Sequence, residues 1–121
     1  MILEAVVSAV NSVVFISDPS WSVNIPEDTG SNLVSFNSSC ISIGTLMESD
    51  GKTKLRLGGQ YSEPVGWIIF EGILETPGKM VSVSDALGNL LLEINVSASS
   101  TLLRIWVNDA REPDIISISA L

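Results

Sequence analysis

The sequence contains no histidine, and no lysine or arginine occurs in its first 51 residues. The first absence removes Ser-His-Asp and Cys-His catalysis, imidazole zinc ligation and the usual proton shuttle near neutral pH. The second leaves Glu4, Asp18, Glu27, Asp28, Glu48 and Asp50 unopposed, so six of the eight net negative charges fall before Lys52. From Lys52 to Leu121 eight acids face six bases. A surface of one sign repels nucleic acid and anionic lipid and draws a partner that carries a basic patch, so neither nucleic acid nor membrane is an expected partner.

Cysteine is nearly absent too. Cys40 stands alone and cannot close an intramolecular disulfide, which points to a reducing, cytoplasmic setting. Between Ser39 and Ile41, with no His or Lys close in sequence, it reads as a packed, inert side chain and not as a nucleophile. Charge is scarce: charged residues are 17% of the chain against the roughly 25% of soluble domains, so the polar surface must come from Ser, Thr and Asn. No run reaches the ~20 apolar residues of a membrane helix. The apolar start, Met1 to Ile16, has no basic flank and is interrupted by Glu4, Ser8, Asn11 and Ser12, which predicts a strand and not a secretion signal. At 121 residues the chain suits one domain, 1–121, with a single core.

What is present is period-two alternation of apolar residues from end to end, with no helical stripe of any length. It predicts strands near 2–10, 12–17, 32–37, 40–48, 52–58, 66–74, 79–84, 89–96, 101–108 and 114–120. The expected fold is all-β, an antiparallel sandwich (jelly-roll-like or similar) of roughly eight to ten strands with little or no helix. Its expected core is Val34, Phe36, Ile43, Leu55, Leu57, Ile69, Val81, Val83, Leu92, Ile94, Leu103, Ile105 and Val107. Asp50-Gly51 predicts a two-residue hairpin pairing Leu46 with Leu55, with a bulge near Gly44 to turn Ile41 and Ile43 inward. Asp85 to Asn89, with Gly88, predicts a second hairpin. Strand 101–108 is apolar on both faces and reads as central.

The residues that could carry chemistry are few. Glu71 and Glu75 are the best candidates for a glycosidase-type carboxylate pair, yet a strand end and its turn are the simpler setting. Asp109, Glu112 and Asp114 could give calcium three of the six to eight oxygens it needs, but Arg111 lies among them and offers plain neutralisation. Lys52, Lys54 and Arg56 read as the protective cations of an edge strand. No catalytic residue, metal ligand or cofactor is expected. What remains is a surface: the irregular stretch 17–30 holds Trp21 among Asp18, Glu27 and Asp28, an aromatic anchor within an acidic rim, or alternatively an aromatic lid with solvated acids around it.

Several of these residues also carry a resemblance. Phe15-x-x-Asp18-Pro19-x-Trp21, Ile41-x-Ile43-Gly44-Thr45 before a glycine turn, Trp67-x-x-Phe70 and Leu103-x-Ile105-Trp106-Val107 together resemble the competence protein J family, small bacterial inhibitors of a nuclease acting on incoming DNA, and other immunity-type bacterial β-proteins. The resemblance implies a non-enzymatic, cytoplasmic, acidic inhibitor of a nuclease; separately from it, the cation-free acidic stretch makes Asp18, Trp21, Glu27 and Asp28 the expected contacts with a basic nuclease or toxin. Two other classes stay open. One is a carbohydrate-binding module with Trp21, Tyr61 and Trp67 as its platform; the other is a self-associating structural β-domain, for which the mean hydropathy of +0.41 argues. Whatever the function, a chain this apolar and this poor in charge predicts a homodimer.

Overall fold

The computed structural model describes residues 2–27, 32–59 and 64–120, which form ten strands and one short 3-10 turn. The strands are β1 (Ile2–Val7), β2 (Val13–Ser17), β3 (Val34–Phe36), β4 (Cys40–Gly44), β5 (Thr53–Gly58), β6 (Trp67–Glu75), β7 (Met80–Asp85), β8 (Leu90–Asn95), β9 (Ser100–Val107) and β10 (Ile115–Ala120). Two five-stranded sheets, ordered β1-β5-β10-β9-β6 and β3-β4-β2-β7-β8, face each other across one core. The all-β sandwich predicted from alternation is the fold that forms. One pairing departs from the antiparallel expectation: β5 and β10 run parallel, with Leu55 beside Ile116 and Leu57 beside Ile118. No helix among the described residues is long and apolar enough to cross a membrane.

Alternation sets the packing, because every second side chain of a strand points to the same face. Val14, Ile16, Ile41, Ile43, Val81 and Val83 from one sheet meet Leu55, Leu57, Leu103, Ile105, Ile116 and Ile118 from the other, all at most 1% exposed. Each such burial stabilises by about 1.5–3 kcal/mol relative to exposure. Val34 and Ile94 pack against this cluster from half-buried positions. Phe36 and Ile69 do not belong to it, at 64% and 37% exposure. Both lie on outer strands of opposing sheets, β3 and β6, where Val34 and Leu74 still reach the core but Phe36 and Ile69 lie at its rim. Phe36 instead stacks edge-on against Phe70 at 5.1 Å, and Ile69 falls in a bulge of the β6–β9 ladder between Ile68 and Phe70.

The hairpin predicted at Asp50-Gly51 does not form. Strands β4 and β5 lie in different sheets, and the chain between them crosses the sandwich, with Leu46 N donating to the Pro113 carbonyl and Lys54 N to that of Asp114. This removes the parity conflict without a bulge at Gly44, since Ile41 and Ile43 enter the core from one sheet while Leu55 and Leu57 enter from the other. Strand β5 is consequently interior, flanked by β1 and β10, and its cations do not guard an edge. Arg56 Nε donates to Glu4 Oε2 at 2.9 Å, with Lys54 Nζ 3.7 Å from the same oxygen. The Asp85–Asn89 hairpin does form, with Gly88 at φ 82°, and β9 is interior as expected.

Candidate functional site

The outer face of the β3-β4-β2-β7-β8 sheet is lined by serines, with Phe15 and Cys40 among them. Residues 18–27 cross this face as a strap. At its start Asp18 Oδ1 accepts from Ser20 N at 2.9 Å and Ser20 Oγ at 2.6 Å, while Oδ2 accepts from Gly78 N, in the β6–β7 turn, at 2.6 Å. Midway, Asn24 N donates to Ser39 Oγ at 3.0 Å and the Asn24 carbonyl accepts from Asn37 Nδ2 at 2.9 Å. Asn37 Oδ1 in turn accepts from the Ser39 and Cys40 amides, which shapes the β3–β4 turn that receives the strap. Between strap and sheet lie grooves of about 350 and 260 Å³, both touching Phe15 and Ile25.

The four expected contact residues part company here. Asp18 is fully buried, with its carboxylate turned onto the protein's own donors, so it fastens the strap and offers a partner nothing. Burial opposes its charge, and the donors from Ser20, Gly78 and Met80 outweigh that, holding the carboxyl below its ordinary value of 3.8. Trp21 is half-buried, and its indole Nε1 is buried without an acceptor among the described residues, so the side chain is partly lid and partly surface. Glu27 is exposed. Asp28 lies outside the described residues. The sequence could not reveal the fate of Asp18, because its decisive donor is 60 residues away.

The other candidates resolve as structural groups. Glu71 Oε2 accepts from Arg104 Nε at 2.6 Å across the β6–β9 ladder, and Glu75 lies four strand residues on, ~13 Å away, too far for a glycosidase pair. Asp109 Oδ1 accepts from the Arg111 and Glu112 amides, which lower its pKa, and no three acids or cysteines gather as a metal site among the described residues. Cys40 is fully buried beneath the strap, and burial pushes its thiol up to about 11, which makes it unreactive as expected. The aromatic platform does not assemble: Trp67 opens β6, whereas Trp21 adjoins Ser20 at Gly78, beyond the other end of that nine-residue strand, and Tyr61 is outside the described residues. What sequence reading missed is a second acidic region. The β4–β5 crossing brings exposed Glu48 and Asp50 to the same end of the sandwich as Asp109, Glu112 and Asp114, through the Leu46–Pro113 and Lys54–Asp114 hydrogen bonds. Those charges were visible in sequence, but only the topology brings them together.

Among solved structures, the crystal structure of ComJ from Bacillus subtilis, inhibitor of the DNA-degrading activity of NucA, superposes at a TM-score of 0.70 over 99% of this chain and 97% of its own, with 10% identity. The chain has the ComJ fold. A second structure, crocagin biosynthetic gene J, matches at a TM-score of 0.56 over 98% of this chain and 96% of its own, with 13% identity. No family model and no curated protein sequence matches. The resemblance to competence protein J therefore holds at the level of backbone architecture.

Proposed function

We propose that this protein is a non-enzymatic acidic inhibitor that binds and blocks a basic nuclease or toxin. The observation that carries the reading is the end-to-end likeness of its fold to ComJ, a nuclease inhibitor, in a chain with a net charge of −8. The chemistry agrees: a nuclease cleft must be cationic to hold phosphates, so an acidic protein competes with nucleic acid there and associates quickly at low salt. The strap is the contact surface in this reading. Trp21 is its aromatic anchor, Glu27 and Asp28 its acidic rim, and Asp18 the buried fastener that holds the rest in position.

Capture of binding proteins from the source organism, followed by kinetics on the captured nuclease, tests this. Trp21→Ala is expected to speed dissociation and to cost ~2 kcal/mol or more of affinity. Glu27→Lys with Asp28→Lys should slow association and flatten its salt dependence. Glu48→Lys with Asp50→Lys, at the other acidic region, should leave dissociation unchanged. Folded strap variants with wild-type affinity would remove the strap as the contact, and DNA degradation that persists at saturating protein would remove the inhibitor reading itself.

A further inference from the structure

We propose that the basic partner's contact extends from the strap onto the open seam between β3 and β6, with Phe36, Phe70 and Trp67 as its apolar centre and Glu27 and Glu75 as its acidic margin. This rests on the inhibitor reading and adds where that contact is tightest.

The two long sides of the sandwich are finished differently. On one, β8 packs against both β1 and β5. On the other, β3 stops after three residues and reaches β6 through a ring contact, Phe36 against Phe70. Strand parity explains what lines this side. Trp67, Phe70 and Gly72 pair with Val107, Ile105 and Leu103, all core residues, so they share the inner face of β6. Glycine at 72 lets the Phe70 ring lie along the strand, because a Cβ there would come 2.8 Å from Phe70 Cζ. Phe36, beside the buried Ile41 in its own ladder, meets that ring edge-on from the other sheet. The seam is built of rings and yet lies open: Phe36 is 64% and Trp67 48% exposed, with Ile69 at 37% in the bulge next to Phe70. Together these three expose on the order of 300 Å², the scale of the largest apolar patch on a monomer, which is often a binding site.

Charge selects the occupant. Glu27 lines the same recess of about 200 Å³ as Val34 and Phe36, which joins the strap to the seam. Glu75, also exposed, ends β6, and its amide donates to the Ser38 carbonyl just past β3. Neither acid has an ion pair among the described residues, whereas Glu71 is matched by Arg104. The strap, β3 and β6 contain no lysine or arginine. A second copy would set these same acids against one another; a basic protein is drawn by them and finds exposed rings between them, the side chains in which interface energy concentrates.

The test is a footprint. Cys40 is buried, so an Ile69→Cys variant carries its accessible thiol on the seam, and a Leu90→Cys variant carries one on β8, at the opposite side, where Leu90 is 59% exposed. Saturation with the nuclease captured by wild type should slow maleimide labelling at position 69 by at least about tenfold and leave position 90 unchanged. Phe36→Ala and Trp67→Ala, verified as folded by circular dichroism, should each release that nuclease at least about tenfold faster, and Glu75→Lys should slow association. Unprotected labelling at position 69, or folded Phe36→Ala and Trp67→Ala variants with wild-type dissociation, overturns the seam, and the inhibitor reading stands if wild type still stops DNA degradation. A wild type that blocks no nuclease overturns both. A wild-type dimer that Phe36→Ala dissolves gives the seam to a second copy and overturns the proposal as well.

Discussion

A single carboxylate decides where the acidic strap lies. The buried carboxylate of Asp18 takes hydrogen bonds from Ser20 and, 60 residues on, from Gly78, so Asp18→Asn weakens and Asp18→Ala removes the acceptor that ties these two segments together. A loss of about 2 kcal/mol is expected, read as a lower urea midpoint with an unchanged slope. The pH dependence has a definite sign. Asp18, Asp85 and Asp109 are all held below 3.8 in the folded state, Asp85 chiefly by Asn89 and Asp109 by the Glu112 and Arg111 amides. Their stabilisation is complete above the unfolded value and is lost as pH falls through the lower folded one, so Tm should hold level from neutrality to about pH 5 and drop below about pH 4. Asp18→Asn should make that drop shallower; an equally steep drop would show that Asp18 adds nothing. At this scale the sequence revealed that Asp18 was acidic and loop-borne, but not which way it pointed, because Gly78 approaches it only through the fold.

At the level of elements, alternation located all ten strands, because period-two burial is a local property of the chain. It misassigned the partner of β5, because Asp-Gly is equally at home in a turn that joins two sheets. The two alternatives differ in what glycine must do. Gly51, at φ 149°, holds a backbone conformation that side chains adopt only with strain, and its one side-chain neighbour, Leu46 Cδ2, lies 3.2 Å from where a Cβ would sit. Gly66, at φ 89°, would put a Cβ 1.9 Å from the Val107 carbonyl oxygen. Gly51→Ala should therefore cost about 1–3 kcal/mol through its backbone conformation alone, and Gly66→Ala more than that, because a backbone clash adds to the same strain, in equilibrium unfolding. A reversal of that order would restore the hairpin reading. Phe36 and Ile69 were misplaced for a related reason: strand parity tells which face a side chain takes, while edge or interior depends on neighbours distant in sequence.

Over the whole molecule, the shortage of cations is the property most plainly written in the sequence and the one the fold changes least. The ion pairs at the surface of the described residues, Glu4 with Arg56 and Lys54 and Glu71 with Arg104, are worth about 0–1 kcal/mol each, while the remaining acids repel one another. Raising salt from low ionic strength to about 0.15 M should raise the urea midpoint, because screening relieves more repulsion than attraction; a falling midpoint would mean that the pairs outweigh the excess. The strap's course over Cys40 adds a consequence of another kind. A thiol sealed under residues 18–27 and raised to about 11 can react only when that segment lifts, so its labelling by a chromogenic disulfide serves as a stopwatch for strap release in the unmodified protein. Asp18→Asn should run the stopwatch faster, and a ligand that grips the strap should slow it.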